Sequence, residues 1–382
     1  MKGKSANQES LELSTPLLGT VMAVQANFYQ VRLQKDGSEE LAQLQLGQEL
    51  GVKNLQPAQP EFSTLLCTRR SRLKKIGQRV MVGDRVLVEL PSLTSERGAI
   101  AEVLPRKNQL DRPPVANADQ ILLIFALEEP SLDSYQLSRF LVKAESTLLS
   151  TLLCLNKSDL VTQDQQQKWQ QRLRKWGYQA VFISIYANTG LEELEHLLKQ
   201  KTTVLAGLSG VGKSSLINQL IPTAELRVGE VTGKLGRGRH TTRHVELFEL
   251  PRGGLLTDTP GFNQPDLDCE PAELALYFPE IRQRLTQAQC QFSNCLHRDE
   301  PNCVVRGDWE RYEHYLDFLH EAIARQETRK NQPDFENTTK LKIKGSGKRQ
   351  YEPKLENKKY RRPSRRTQQQ SLEELYQDAE EF

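Results

Sequence analysis

Hydrophobic and polar positions change style twice along the 382 residues of the chain. From Leu17 to about Leu104, apolar residues come in short alternating runs broken by Gly or polar residues, at 19–24, 29–33, 79–82, 85–90 and 99–104. Period-two alternation in runs this short predicts strands, and about five of them in so short a stretch predict a small β-barrel. An OB-fold is the five-stranded barrel of this size. Its surface commonly binds oligonucleotides, although similar barrels serve without nucleic acid. From Asn117 the runs lengthen. Buried strands are predicted at 121–127, 149–155, 180–185, 203–206 and 254–257, and amphipathic helices at 137–145, 165–176, 191–198 and 213–220. That alternation predicts an α/β domain with a largely parallel sheet. After Pro271 the pattern turns helical, with a Cys/His loop at 290–303 and a helix near Trp309 to Glu327. No internal repeat is present.

Charge changes the picture only at the C-terminal end. Lys and Arg number 52 against 49 Asp and Glu, for a net charge of +3. Residues 341–366 hold eleven Lys/Arg and two acidic residues, whereas 367–382 hold five acidic residues and no basic one. With Gly-Ser-Gly, two Pro and few apolar residues, the tail cannot bury enough surface to offset its ordering entropy and is expected to be disordered when free. It reads either as a solvated terminus or as an electrostatic arm for nucleic-acid phosphates. A second basic cluster, Arg69, Arg70, Arg72, Lys74, Lys75 and Arg79, lies in the barrel region.

Composition excludes whole classes. With 37% hydrophobic and 26% charged residues the chain is neither fibrous nor wholly disordered. Its longest uninterrupted apolar run, 121–127, falls far short of the ~20 residues of a membrane span. The opening Met-Lys-Gly-Lys-Ser-Ala-Asn-Gln-Glu-Ser has no apolar core of a secretory signal. The expectation is a cytoplasmic protein with no membrane attachment. Six cysteines in such a chain do not suggest a disulfide scaffold.

Gly207-Leu-Ser-Gly-Val-Gly-Lys213-Ser214 fits the phosphate-loop pattern G-x-x-x-x-G-K-[ST]. It follows a predicted strand and opens a predicted helix, the context the motif requires. Gly207, Gly210 and Gly212 let the backbone approach phosphate oxygens, and the loop and helix N–H groups supply partial positive charge. Nucleotide contacts are therefore expected from Gly207, Leu208, Ser209, Gly210, Val211, Gly212, Lys213, Ser214 and Ser215. Lys213 should reach the β- and γ-phosphates and the Ser214 hydroxyl should ligate Mg²⁺. Asp258-Thr-Pro-Gly261 ends another apolar strand. Alone it is a common turn. Beside a phosphate loop, Asp258 would hold Mg²⁺ and the Gly261 N–H would contact the γ-phosphate.

Asn156-Lys157-Ser158-Asp159 ends a third strand. The Asp159 carboxylate can accept from guanine N1–H and N2–H₂ together, which adenine cannot offer. Asn156 can donate to the guanine edge and tie loops together, and the Lys157 stem can cover one face of the base. An ordinary helix cap is the competing reading of this peptide. Residues 184–190, starting at Ser184, would supply a second base-contacting loop through backbone N–H groups. The base-reading peptides precede the phosphate loop, and Asp258 comes last, whereas the familiar order puts the phosphate loop first and the base-reading loops last. All these loops sit at one edge of one sheet, so a circular permutation preserves the site. It also leads the segment after Asp258 straight into the C-terminal region, where the state of the γ-phosphate could be passed on.

Between the phosphate loop and Asp258 lies Gly236-Arg-Gly-Arg-His-Thr-Thr-Arg243. Thr241 or Thr242 could complete the Mg²⁺ shell. Phe262 stands where many GTPases carry a water-orienting Gln, and His240 is the nearest polar candidate for that role, with phosphate or RNA contact as its alternative. The catalytic candidates are thus His240, Lys213, Thr241 and Thr242. Cys290, Cys295, His297 and Cys303 fall within 14 residues and offer three thiolates and an imidazole, a donor set suited to one structural, tetrahedral Zn²⁺. The competing reading is buried free cysteines and an unrelated His. Cys154, inside an apolar strand, reads as core.

With these motifs together the chain resembles the circularly permuted small-ribosomal-subunit biogenesis GTPases of the RsgA/YjeQ family. The resemblance is carried by Val82-Gly-Asp-Arg-Val86, Pro105-Arg-Lys-Asn108, Arg112-Pro113, Ala118-Asp-Gln120, the three nucleotide motifs, Gly238-Arg-His-Thr-Thr242, Phe262 and the Cys/His spacing, over roughly 16–325. Ile185 departs from it, standing where the family has Ala. The resemblance implies a multidomain protein: an OB-fold RNA-binding domain at 16–107, a circularly permuted α/β P-loop GTPase domain at 108–264 and a helical zinc-binding domain at 265–330; a disordered 1–15 and a basic-then-acidic disordered tail at 331–382, expected from their own residues, flank that pattern. It implies GTP and GDP, the small ribosomal subunit and its rRNA as partners, ribosome-stimulated hydrolysis, and release afterwards. A monomer is expected. A nucleotide-binding scaffold and a P-loop kinase are the other readings, and Asn156 with Asp159 argues against the kinase.

Overall fold

The structure, a computed structural model, describes residues 16–34, 63–91, 95–111, 113–224, 245–258, 266–331, 339–343 and 349–353. Five strands, β1 (Leu17–Gln25), β2 (Phe28–Leu33), β3 (Thr64–Arg69), β4 (Arg85–Glu89) and β5 (Arg97–Val103), close in the order β1-β2-β3-β5-β4, with β4 returning to β1. A short helix, α1 (Ser71–Lys75), follows β3. Alternation along β2 and β3 sends Tyr29, Val31, Leu33, Leu65 and Cys67 inward, where they meet Val86, Val88 and Ile100.

One barrel strand is not the one the sequence suggests. Residues 79–82 form no strand: Val80, Met81 and Val82 are buried in succession, in a turn held by the Asp84 carboxylate. Asp84 accepts the Met81 N–H at 2.7 Å and the Arg106 guanidinium at 2.6 and 2.9 Å. The fifth strand is β3, hidden in the sequence because Leu65-Leu66-Cys67 reads as a continuous apolar run although Leu66 points outward, 44% exposed. A hairpin of β6 (Gln109–Asp111) and β7 (Pro114–Ala116) then leads out of the barrel. Gly83 lies at φ +84°, and an ideal Cβ there would stand 2.1 Å from the Ala116 carbonyl oxygen. Asn117 donates to the Gly83 carbonyl at 2.9 Å, and Asn108 pairs with both backbone groups of Ala118 at 2.8 and 3.0 Å. The runs at 82–86, 105–108 and 118–120 therefore join the barrel to the α/β region.

The central sheet contains β8 (Gln120–Ala126), β9 (Ser150–Asn156), β10 (Ala180–Phe182), β11 (Thr202–Gly207), β12 (Glu246–Glu249) and β13 (Leu255–Asp258), in the order β10-β9-β8-β11-β13-β12. All are parallel except β12, which runs antiparallel to β13. Every residue of β8 is buried, as a central parallel strand requires. Between the strands run α2 (Ser134–Glu145), α3 (Gln163–Lys175), α4 (Leu191–Leu198) and α5 (Lys213–Leu220). Asp133 caps α2 by accepting the Gln136 N–H at 2.6 Å, and Thr162 with Gln165 forms a capping box on α3. Ile121, Leu123 and Phe125 pack on Phe140 and Leu141 of α2, while Leu122 and Ile124 belong to the opposite core with Leu194, Leu198, Leu216 and Ile217. β10 stops at Phe182 rather than reaching 185, and the four-residue β12 is too short to announce itself. β12 also pairs with β1 at Ala23↔Glu246, so barrel and sheet are hydrogen-bonded to each other.

Beyond the sheet come a 3-10 turn (Leu274–Tyr277), α6 (Pro279–Gln287) and α7 (Tyr312–Asn331). Leu274, Phe278, Ile281, Val305, Tyr315, Phe318 and Leu319 form a core with Val142 of α2, so this region has an apolar core besides its cysteine cluster. The chain divides into two compact units, Met1–Ile323 and Ala324–Phe382. The second holds an antiparallel pair, β14 (Thr339–Ile343) and β15 (Arg349–Pro353). The rest of the tail after Asn331 and all of 1–15 lie outside the described residues. Among the described residues no helix is long and apolar enough to cross a membrane.

Candidate functional site

The chain builds β8, β9 and β10 outward in one direction, returns to lay β11 on the other side of β8, and continues to β13. The reversal between β8 and β11 is a topological switch point, where an open α/β sheet forms its ligand crevice beyond the carboxyl ends of the strands. Residues 207–214 leave β11 at that point. Gly207 passes so close to β8 that an ideal Cβ would stand 2.1 Å from the Ile124 carbonyl oxygen. Asn156, the last residue of β9, reaches across β8 and donates to the Val211 carbonyl at 2.9 Å. Gly212 makes room for it: at φ +100°, its ideal Cβ would lie 2.4 Å from Asn156 Nδ2. The other amide atom of this side chain, Oδ1, is buried without a hydrogen-bond partner among the described residues. Lys213 Nζ donates to the carbonyls of Gly207 and Leu208 at 2.9 and 2.6 Å, which folds the ammonium back onto its loop. Ser214 and Ser215 stand in the first turn of α5, whose N-cap Gly212 gives no side-chain cap, so the leading N–H groups are left to an anion.

The second peptide is equally fixed. Lys157 takes a left-handed conformation, φ 60°, and its ammonium donates to the Glu129 carbonyl. The Ser158 N–H donates to the Ile183 carbonyl at 3.0 Å. Asp159 is exposed, and its Oδ1 accepts the Ser184 hydroxyl at 2.5 Å. Ser184 is wholly buried and itself accepts the Ala187 N–H at 2.9 Å. Backbone hydrogen bonds in both directions between Ser184 and Thr189, at 3.1 and 3.0 Å, close the loop. The side chain of Ser184 thus orients Asp159. Ile185 packs inward beside Gly212. Gln166 on α3 donates to the Ser158 carbonyl at 2.9 Å, a contact with no signal in the sequence because a Gln on a polar helix face is ordinary there. Asp258 ends β13 with its backbone in register with Leu205 and Glu246. His240, Thr241, Thr242 and Gly261 lie outside the described residues.

Cys290, Cys295, His297 and Cys303 converge, with all four ligand atoms within 4.8 Å of one another. His297 Nδ1 lies 3.5 Å from both Cys290 Sγ and Cys303 Sγ, and those sulfurs are 3.9 Å apart. A tetrahedral Zn²⁺ with bonds of about 2.3 Å to sulfur and about 2.0 Å to nitrogen demands edges of ~3.8 Å for S···S and ~3.5 Å for S···N. The residues present fit that ion. Burial lowers the pKa of His297, with Glu300 opposing, and so favours the neutral, ligating form. Burial works to raise the Glu300 carboxyl, but N–H groups including those of Leu296 and Arg298 outweigh it and hold it at about 2. Tyr312 and Tyr315 donate to the carbonyls of His297 and Leu296 at 2.9 and 2.7 Å and fasten this loop to α7. The remaining cysteines stand apart: Cys154 is core, and burial pushes the Cys67 thiol up to about 12.

Comparison with known proteins places the chain in a family. The family model described as RsgA GTPase matches residues 103–268. A protein of Trichormus variabilis named small ribosomal subunit biogenesis GTPase RsgA is 65% identical, over 95% of this chain and 98% of its own length. One of Arabidopsis thaliana, RsgA 1, mitochondrial, is 40% identical over 94% of this chain and 86% of its own. Among solved structures, YjeQ from Thermotoga maritima superposes with a TM-score of 0.64 at 32% identity, covering 81% of this chain and 99% of that one. YloQ, described as a circularly permuted GTPase, gives 0.63 at 29% identity, covering 86% and 100%. The chain belongs to the RsgA GTPase family.

Proposed function

We propose that this chain binds the small ribosomal subunit late in its maturation, hydrolyses GTP there under ribosome stimulation, and then dissociates. The support is its membership of a family of GTP hydrolases, relatives named for small-subunit biogenesis, and a site whose loops are mutually braced. The observation that carries the nucleotide assignment is the 2.9 Å hydrogen bond from Asn156 to Val211, which joins the base-reading peptide to the phosphate loop. Asp159, oriented by Ser184, reads the guanine edge; Asn156 and Lys157 flank the base; Ser158 sets the turn. The loop 207–215 wraps the phosphates, Lys213 leaves its carbonyl contacts for the β- and γ-phosphates, and Gly261 contacts the γ-phosphate. Ser214 and Asp258 would hold Mg²⁺, which when bound neutralises charge on the phosphate oxygens. Thr241, Thr242 and His240 belong to the γ-phosphate side, His240 as the residue that orients water. One structural Zn²⁺ would be held by Cys290, Cys295, His297 and Cys303 and would fix the 290–303 loop.

The domains we assign are 16–107 as the RNA-binding barrel, 108–264 as the permuted GTPase domain and 265–330 as the zinc-binding domain, with 1–15 and 331–382 flanking them. We take the protein to be a monomer, and a partner that is an assembling ribosome supports a cytoplasmic protein that contacts rRNA. The test is GTP turnover titrated with purified small and large ribosomal subunits. Acceleration by small subunits alone is expected. Turnover indifferent to small subunits would favour a nucleotide-dependent scaffold, and displacement of labelled GTP by ATP as readily as by GTP would overturn the reading of Asp159.

A further inference from the structure

Helix α3 follows the base-reading peptide directly, and its seat on the core of the α/β domain is concentrated toward its C-terminal half, where Leu173 and Trp176 are buried in that core and Trp169 packs partly buried against it. Its sequence, Gln-Asp-Gln-Gln-Gln-Lys-Trp-Gln-Gln-Arg-Leu-Arg-Lys, contains one buried residue, Leu173. Most helices of this length are held by an apolar stripe against a core. Here the far end of the helix is held in addition by the segment around α6 and the start of α7. Trp176, at the C-cap, is 1% exposed and donates its indole N–H to Glu310 at 2.9 Å. Arg172, in the last turn, pairs with the same carboxylate and stacks on the rings of Trp169 and Trp176. Gly177 comes so close to Pro279 that an ideal Cβ would stand 2.7 Å from its ring.

Arg311 is the centre of this contact. It is fully buried, and its guanidinium lies over the rings of Trp176 and Phe278, 4.9 and 4.8 Å from their centroids. It makes a two-pronged ion pair with buried Glu280, at 2.7 and 2.5 Å, and reaches Ser138 of α2 at 3.4 Å. A buried ion pair with both partners satisfied fixes geometry even where it adds little net stability. Glu310 and Arg311 immediately precede Tyr312, which fastens the Cys/His loop. At the other end of α3, Gln166 holds the Ser158 carbonyl, next to Asp159.

We infer that Arg311 and Glu310 are positioning residues for guanine recognition: through Trp176 and Arg172 they seat α3, and α3 in turn sets the angle of the Ser158–Asp159 turn. The C-terminal helical region is thereby a structural part of the base-reading half of the site. The inference rests on the proposed guanine reading of Asp159. Inosine nucleotides lack the exocyclic amino group, so the GDP-to-IDP affinity ratio reports the second hydrogen bond to the Asp159 carboxylate.

The experiment measures dissociation constants for fluorescent GDP and IDP on the full chain, for wild type, Glu310→Ala, Glu310→Gln and Arg311→Lys, beside their melting temperatures. Glu310 is partly exposed, so its replacement leaves a folded protein to measure even if Arg311→Lys does not fold. Expected is a GDP-to-IDP ratio that shrinks about tenfold in Glu310→Ala, the worth of one misplaced hydrogen bond to a charged acceptor. Glu310→Gln keeps an acceptor for the Trp176 indole and should recover most of the ratio. A lower melting temperature with an unchanged ratio would overturn the inference and leave these residues as packing alone. A wild-type protein that binds GDP and IDP equally would instead refute the guanine reading itself.

Discussion

Replacing Gly212 by Ala strikes the point where the two halves of the site meet. At φ +100° a β-carbon costs about 1–2 kcal/mol of backbone strain. The same carbon would stand 2.4 Å from Asn156 Nδ2, about 1 Å inside ordinary contact, so the amide has to swing away. Swinging breaks the 2.9 Å bond to the Val211 carbonyl, and a buried donor stripped of its partner costs a further ~1–3 kcal/mol. The sum, ~2–5 kcal/mol, corresponds to roughly 30-fold to several thousandfold. If the loop yields to relieve the strain, it leaves its phosphate-wrapping shape and the loss falls on GDP affinity; if it holds, the loss falls on stability. Measuring both the GDP dissociation constant and thermal unfolding captures either case. The discriminating comparison is the double-mutant cycle with Asn156→Ala. Once the amide is gone, the clash is gone, and Gly212→Ala should cost only the backbone strain, ~1–2 kcal/mol or about 5- to 30-fold. Equal costs in the two backgrounds, within the ~0.5 kcal/mol that independent sites show, would refute the reasoning.

Asp159→Asn should weaken GDP and shift preference to xanthosine diphosphate, whose donor and acceptor pattern is exchanged at that edge; competition against labelled GDP reads this, and retained guanine preference counts against the assignment. Ser184→Ala removes the 2.5 Å donor to Asp159 and the acceptor of the Ala187 N–H, and a hydrogen bond to a charged group at ~1.5–3 kcal/mol predicts a GDP affinity lower by roughly ten- to a hundredfold. An affinity within twofold of wild type would show that Asp159 needs no such support. Elemental analysis should find one zinc per chain, and a chelator or Cys290→Ser should release it and lower the melting temperature; a metal-free chain of undiminished stability would refute the structural role.

The candidate site was largely legible because its motifs carry their own chemistry. Gly207 to Ser214 stand between a strand and a helix and Asn156 to Asp159 at a strand end, as read from the sequence, and the structure brings the two peptides together through Asn156 and Val211. The cysteine spacing likewise announced a cluster whose geometry then fits zinc. What the sequence hid were roles set by tertiary neighbours. Ser184 read as a source of backbone N–H groups, but its hydroxyl is turned inward to Asp159. Gln166 and Arg311 carried no local signal, since their importance lies in what another element presents to them. In the barrel, periodicity failed where burial was uniform. Val80, Met81 and Val82 do not alternate with polar residues, yet their run beside Arg79 resembles a strand, whereas the outward Leu66 disguised the real one.

Strand order, not chain order, determines which loops meet. Asn156 and Val211 are 55 residues apart with the earlier residue on the base side, and they still touch, because β9 and β11 flank the same strand β8. The same logic extends sideways. Leu205, Asp258, Glu246 and Ala23 are successive register partners across β11, β13, β12 and β1, so one row of the sheet runs from the strand that delivers the phosphate loop into the barrel. β12 therefore has one neighbour that ends at Asp258 and another that belongs to the barrel, and Arg32 of β2 also pairs with Glu249 at its far end, 2.5 Å away. A strand of four residues supplies few hydrogen bonds of its own, and left at an edge it would be weakly fixed. The barrel is thus part of what holds β12 in place beside β13, and the α/β half of this protein is not a module to which a separate barrel has merely been tethered.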